Sequence, residues 1–286
     1  MRLTFAGTGC GATINPDRAG AGILLTNDLR NNTSPNTEAS HLLLDCGSGV
    51  IERLIRSGLD HTAIQAVIFS HLHMDHAIGI ADLLSQMAFR GRPMPGIYGP
   101  LGTTEYIDAA VHFARANRVL RRDSAQDDLD SIDIQITRSG DEREVGGLQI
   151  TTVEVPHVDY LECLARRFDG GGRSLVYSGD TRPAPEVLVP LADNADVLIH
   201  EAFTWDAVDE FTEHMPDRTT DAIKEAFLSS HSDVDSVARL AKEADVKHLI
   251  LTHLLPEETD DRLIARASAH YPGEILAAHD GLTLAV

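Results

Sequence analysis

Residues 70–79 read SHLHMDHAIG, which places His71, His73, Asp75 and His76 within six positions just after the apolar run AVIF. Imidazoles and a carboxylate without thiolates suit zinc, manganese or iron at a catalytic centre, whereas closed structural zinc sites more often use cysteine. In an extended or turning segment, residues two apart point the same way. His71 and His73 then converge on one ion, while Asp75 and His76 swing toward a neighbouring position. A solvated histidine-rich loop is the competing reading. It fits poorly between an apolar strand and an apolar helix.

Further ligands are expected at other strand ends. The candidates are His157 after TTVEVP, Asp180 in LVYSGDT and His253 in LILTHLL, each following apolar or β-branched residues. One histidine in such a place would read as an edge residue. Together with the HxHxDH run, the three read as parts of one site. Two divalent ions roughly 3.5–4 Å apart could share Asp180 as a bridge and hold a hydroxide that is nucleophilic at neutral pH.

The elements that must position these residues alternate between strand and helix. Strands are predicted at RLTFAG, GILLT, HLLLDCGSG and AVIFS, then at GIYGP, IDIQITR, LQITTVEVPH, SLVYSGD, VLIHEAF and KHLILTHLL. The closing EILAAHDGLTLAV reads as a strand pair. Helices are predicted at VIERLIRSG, closed by Gly58, and at HAIGIADLLSQMAF, 103–122, VLVPLADN, VDSVARLAKEA and DRLIARASAHY. A polar stretch, NDLRNNTSPNTEAS, reads as a surface hairpin loop, and 123–131 as an acidic loop. Two β-rich halves with helices outside imply a sandwich, not a doubly wound sheet. No linker divides the chain, so residues 1–286 are expected to form one domain.

Composition narrows the partners. Asp and Glu total 44 against 24 Lys and Arg, a formal net charge of −20, and only Lys224, Lys242 and Lys247 supply lysine. Such a chain repels nucleic-acid phosphate at long range unless basic residues are concentrated locally. The segment ARANRVLRR (114–122) is the one candidate cluster, and it also fits a solvated helix face. The aspartate excess fits adaptation to high internal salt, which would screen the repulsion. No apolar run approaches the ~20 residues of a membrane span, and the start lacks a signal-peptide core. The three cysteines, Cys10, Cys46 and Cys163, form no CxxC pair, which fits a reduced interior, so a soluble cytoplasmic protein is expected.

HLHMDH, His157, SGDT and LTH, in this order, resemble the ligand motifs of the metallo-β-lactamase fold superfamily. FAGTGCGA and LLLDCGSG resemble turns of its ribonuclease Z branch, IYGPLGTTEYI the strand-turn-helix after the metal motif, and VLIHEAF, SHSDVDSVARLAKEA and KHLILTHL the C-terminal third. The resemblance implies an αββα four-layer sandwich (α/β, or α+β) with the metals at one edge of the two sheets. It gives one ion His71, His73 and His157, the other Asp75, His76 and His253, and both Asp180. Asp75 would also orient the attacking water or take its proton. His231 in SSHSDVD would face the scissile phosphate and protonate the leaving oxygen or stabilise its charge, with Glu201 holding it charged. His200, pointing away by strand alternation, is read as structural.

The chain also departs from that branch. His157 and Asp180 are only 23 positions apart, room for a turn and the strand RSLVYSG but not for a protruding tRNA-gripping arm. The stretch after the last ligand, HLLPEETDD, lacks the branch's aromatic and basic residues. Between HEAF and SHS lies TWDAVDEFTEHMPDRTTDAIKEAFLS, either a lid carrying Trp205, Phe211 and His214 toward a small substrate or a surface helix. The expected function is a dinuclear metal phosphodiesterase acting on a small or nucleotide-like ester, with zinc the first choice of ion and manganese or iron the alternatives. Charge and the missing arm argue against tRNA precursors as substrates. Rival readings are an arylsulfatase-like sulfate-ester hydrolase, a lactonase and an inactive metal-binding module. A homodimer is usual among such relatives.

Overall fold

RLTFAG, GILLTN and SHLLL are apolar on both faces, so each must be covered on both sides. A computed structural model describes residues 1–11, 15–28, 39–116, 128–215 and 219–286 and shows how this is done. One seven-stranded sheet runs in the order β14 (Thr283–Ala285), β1 (Arg2–Gly7), β2 (Gly22–Asn27), β3 (Ser40–Leu44), β4 (Ala66–Ile68), β5 (Gly96–Gly99), β6 (Ile134–Ile136). The other runs β13 (Glu274–Ala277), β12 (His248–Thr252), β11 (Val197–Glu201), β10 (Arg173–Tyr177), β9 (Cys163–Gly170), β8 (Leu148–Val155), β7 (Glu142–Val145). Each is mixed: β1 to β3 and β7 to β10 are antiparallel, while β3 to β6 and β10 to β13 are parallel.

Three apolar layers hold these sheets. Phe5, Leu25, Leu44, Ile68, Phe168, Leu175 and Ile199 fill the space between them. Helices α1 (Val50–Arg56), α3 (Ile80–Phe89) and α4 (Thr103–Ala116) cover the first sheet through Leu54, Leu83, Leu84 and Ile107. Helices α5 (Pro185–Ala192), α8 (Val234–Glu243) and α9 (Asp260–Ser268) cover the second through Leu188, Val237, Ala241 and Leu263. The result is the expected helix–sheet–sheet–helix sandwich. Among the described residues no helix is long and apolar enough to cross a membrane.

Several local expectations need correction. The helix expected over HAIGIADLLSQMAF is two, α2 (Met74–Ala77) and α3, broken at Ile78–Gly79, where Gly79 donates its N–H to the Cys46 carbonyl. The closing strands do not pair with each other. β13 extends the second sheet beside β12, and β14 crosses to pair with β1. The segment from His157 to Asp180 holds a hairpin, β9 and β10, where one strand was expected. Its turn is Gly171–Gly172, both at positive φ, as a two-residue hairpin of matching twist requires. β7 was also missed, being a partly exposed edge strand. The region 205–230 is two helices, α6 (Trp205–Glu213) and α7 (Thr220–Ser230), capped by Thr204 and Thr219. Most of the expected loop at 27–40, residues 117–122 of the basic cluster and 123–127 of the acidic loop lie outside the described residues. Asp128–Ser131 form a 3-10 turn.

At the end of the sandwich remote from the histidines, Asp196 ties strand starts together. Its carboxylate accepts from Lys247 Nζ at 2.7 Å, the Ser174 backbone N–H at 2.8 Å and Arg173 at 3.2 Å. Burial raises its pKa, but these donors outweigh it and bring it to about 2. A depressed carboxyl pKa contributes stability above the unfolded value of about 3.9, and this is lost as pH falls through the folded value. Asp196→Ala is therefore expected to lower unfolding free energy by about 1–3 kcal/mol at pH 7, with the difference shrinking in denaturant titrations at acid pH.

Candidate metal centre

The strands deliver their C-terminal ends to one edge of the sandwich, and the polar residues collect there. His71 and His73 leave β4, and Asp75 and His76 open α2. His157 follows β8, Asp180 follows β10, and Glu201 ends β11. His253 follows β12 at φ 57°, a left-handed conformation that turns the chain sharply out of the strand.

Ligand atoms of His71, His73, His157 and Asp180 form one group lying within 4.8 Å of one another, and those of Asp75, His76, Asp180 and His253 form a second. Asp180 belongs to both. Its Oδ1 is 3.3 Å from His76 Nε2, and its Oδ2 is 3.3 Å from His253 Nε2 and 3.8 Å from His71 Nε2. Asp75 Oδ2 lies 3.1 Å from His253 Nε2 and accepts the Gly11 N–H at 2.8 Å.

Hydrogen bonds on the far side of each ring decide which nitrogens face inward. The Asp45 carboxylate can only accept, so His76 donates from Nδ1 at 2.8 Å and turns Nε2 into the site. His157 donates from Nδ1 to the Ser230 carbonyl at 2.6 Å, which leaves Nε2 a lone pair. Ser70 Oγ donates to Asp45, so His71 donates Nδ1–H to Ser70 and presents a bare Nε2. His73 is reversed: its Nδ1 lies 3.0 Å from His71 Nε2 and 3.2 Å from His157 Nε2, while its Nε2 faces the Tyr160 hydroxyl at 3.1 Å.

Imidazole nitrogens and carboxylate oxygens thus converge on one space. His76 Nε2 and Asp180 Oδ1 are buried 3.3 Å apart, and neither has another hydrogen-bond partner among the described residues. Groups so placed need cations, and an imidazole–carboxylate set fits divalent ions. Charge at the ligands says the same. Asp180, Asp75 and Asp45 outweigh burial at His76 and raise its pKa well above the ordinary value, which marks Nε2 as a place for positive charge, a proton or a metal ion. Burial lowers His71 and takes His157 to about 4 despite Asp180, so both offer neutral nitrogens. Burial raises Asp180, but His253 and His76 outweigh it and hold the carboxyl ionised.

Beside these groups stands a third, His157, Glu201 and His231. His231 Nδ1 meets Glu201 Oε2 at 2.7 Å, and its ring lies 5.0 Å from that of His157 and 5.7 Å from that of His253. Burial disfavours its proton, but Glu201 overrides this and raises the pKa to about 9. Glu201 is itself raised by burial, against the attraction of His231, and its other oxygen accepts the N–H of Thr181, next to Asp180. His200 points elsewhere, with Nδ1 on the Glu201 carbonyl and Nε2 buried behind the strand. Trp205 and Phe211 pack with Phe203, Val208 and Phe227 in a separate apolar cluster. His214 is exposed and faces Glu257 at 3.6 Å, so it does not reach the centre.

Sequence reasoning did not select the residues that hold the ligands. Asp45 takes four hydrogen bonds, from Ser70 N and Oγ at 2.7 Å, His76 Nδ1 at 2.8 Å and the Tyr177 hydroxyl at 2.8 Å. A buried strand ending in aspartate, HLLLD, was the available signal. Arg166, buried in β9, donates to the Phe69 carbonyl at 2.7 Å and to Thr137 Oγ1 at 2.9 Å, pinning the strand end that launches His71. Gly47 admits the backbone of the motif: a Cβ there would lie 2.0 Å from the Asp75 carbonyl oxygen. Asp45→Asn puts an amide donor among groups that all donate. It is expected to weaken metal affinity about 10–100-fold with helix content intact, as read by chelator competition and circular dichroism.

Comparison with known proteins bears on the family and the fold. Ribonuclease Z of Methanosarcina acetivorans is 29% identical over 91% of this chain and 90% of its own length. The fold matches the metallo-β-lactamase fold protein YhfI from Bacillus subtilis with a TM-score of 0.73 and 23% identity, covering 99% of this chain and 98% of that one. It matches human tRNase Z, short form, with a TM-score of 0.69 and 20% identity, covering 100% and 99%. Residues 40–254 match the family described as the beta-lactamase superfamily domain, and the chain belongs to that superfamily, in its metallo-β-lactamase, ribonuclease Z-like branch.

Proposed function

We propose that the protein is a dinuclear metal phosphodiesterase of ribonuclease Z type. One observation carries the reading: two donor groups abut through Asp180, with the His231–Glu201 pair at their rim. His71, His73 and His157 would hold one ion, Asp75, His76 and His253 the other, and Asp180 both. The nitrogen-rich ligand set favours zinc, with manganese or iron the alternatives. When bound, the ions lower the pKa of water and offset charge on the ester's non-bridging oxygens.

The chain's own groups supply the rest. Asp75 Oδ2, oriented by the Gly11 N–H, is placed to steer the attacking water and take its proton. His231, kept cationic by Glu201, donates a hydrogen bond to the phosphoryl group or a proton to the departing oxygen. Glu201 also fixes Thr181, so one carboxylate positions both the acid and the neighbouring ligand.

A cavity of about 530 Å³ opens beside Asp75, lined in part by Arg18, Arg53, Arg56, Met74 and Ile78. Its three arginines are paired with carboxylates, Arg56 with Glu52 at 2.6 Å, Arg53 with Asp280 at 3.1 Å and Arg18 with Asp260 at 3.6 Å. The relatives named ribonuclease Z favour an RNA phosphodiester over a neutral ester, although the segment between His157 and Asp180 is only a hairpin. We take residues 1–286 to work as one hydrolase domain, and the three sparse cysteines, which form no CxxC pair, to fit a cytoplasmic protein.

The test compares three substrates with zinc- or manganese-loaded protein: a tRNA precursor with a 3′ trailer, bis-p-nitrophenyl phosphate and p-nitrophenyl sulfate. Phosphodiester cleavage exceeding sulfate release is expected. Turnover of sulfate alone would shift the reading to a sulfatase, and turnover of none would remove the ester readings.

A further inference from the structure

The segment between His157 and β9 carries Tyr160, whose ring stands three-quarters exposed at the rim of the metal centre. An exposed tyrosine usually needs no account. This one is held at an unusual place.

His73 offers Nδ1 to the inward group, so with that nitrogen committed to a cation its ring proton resides on Nε2. Nε2 lies 3.1 Å from Tyr160 Oη, and the phenol oxygen therefore accepts. Its own O–H has no other partner among the described residues, and the ring is exposed to solvent. The rings of Tyr160, His73, His157 and His231 follow one another at centroid distances of 5.9, 5.0 and 5.0 Å. Glu162, on the same turn, accepts the Leu101 N–H at 2.7 Å.

We infer that Tyr160 is a substrate-contacting residue: its phenol, fixed through His73, donates its hydrogen bond to a non-bridging oxygen of the phosphate held over the metal ligands. This rests on the phosphodiester reading above. It adds to that reading a neutral donor that reaches the phosphoryl group from the His73 side, while His231 approaches from beside His157. No proton leaves Tyr160; the group orients and stabilises.

Tyr160→Phe removes only the hydroxyl. Because a hydrogen bond to a charged oxygen is at stake, the variant is expected to bind inorganic phosphate about tenfold more weakly by calorimetry, with zinc loaded. It should lower kcat/KM for bis-p-nitrophenyl phosphate by a similar factor. Metal content after dialysis and Tm should match the wild type. Tyr160→Ala should behave like Tyr160→Phe in phosphate binding, since the ring itself makes no claimed contact with the ligand. Unchanged phosphate affinity in Tyr160→Phe overturns the inference, as does loss of metal from that variant, which would limit Tyr160 to supporting His73. Absence of phosphate binding by the wild-type protein overturns it as well. Failure of the phosphodiester reading shows separately, as wild-type protein that binds phosphate but cleaves no ester.

Discussion

Asp180→Ala should abolish phosphodiester turnover and strip the protein of bound metal. Its carboxylate is the one group shared by both donor sets, within 3.3–3.9 Å of ring nitrogens of His71, His76, His157 and His253. Removing it leaves each set without an oxygen on the shared side and removes negative charge from a space where four imidazoles face inward. Several kcal/mol of transition-state stabilisation go with the ions, so the loss should reach about 10³-fold or more. Metal analysis after gel filtration checks the mechanism independently of rate. Full retention of metal by this variant would contradict the sharing of Asp180.

His231→Ala should separate chemistry from metal binding. The ring lies edge-on to that of His157 and nearly parallel to that of His253, at centroid distances of 5.0 and 5.7 Å, but its close polar bond is to Glu201. Loss of a positioned acid or charge donor lowers turnover about 10²–10⁴-fold, and metal content should be unchanged. A substrate with a good leaving group, such as p-nitrophenolate, needs less protonation. The loss should therefore be smaller on bis-p-nitrophenyl phosphate than on RNA. An equal loss on both would assign His231 to the non-bridging oxygens and not to the leaving group. Loss of metal would remove it from either role.

The chemistry was legible because ligands obey short rules. HxHxDH crowds side chains that are costly to bury without an ion, and His157, Asp180 and His253 each stand where an apolar strand ends. What the sequence could not convey was the support behind them. Asp45 looks like any aspartate in a turn until the fold brings Ser70, His76 and Tyr177 onto its oxygens. Arg166 has the same character. Two arginines and an aspartate interrupt the apolar pattern in CLARRFDG, and no strand was expected there. In the folded chain Arg166 is buried against carbonyl and hydroxyl oxygens, and Arg167 reaches Asp169 and the Leu191 and Asp193 carbonyls. The pair of closing strands failed for a different reason. Periodicity reports that a segment is a strand but not its partner, and β14 finds its partner at the opposite end of the chain. The orientation of His73 is a further case, since spacing placed it beside His71 without telling which nitrogen faces inward.

The central claim is that two ions, held by sets joined through Asp180, are both needed for phosphodiester cleavage. It is tested most directly by titrating metal-free protein with zinc or manganese while following bis-p-nitrophenyl phosphate turnover and bound metal together. The account predicts binding of two ions per chain, with activity appearing as the second is taken up. Full activity at one ion per chain, or two ions bound without turnover of any phosphodiester, would contradict it.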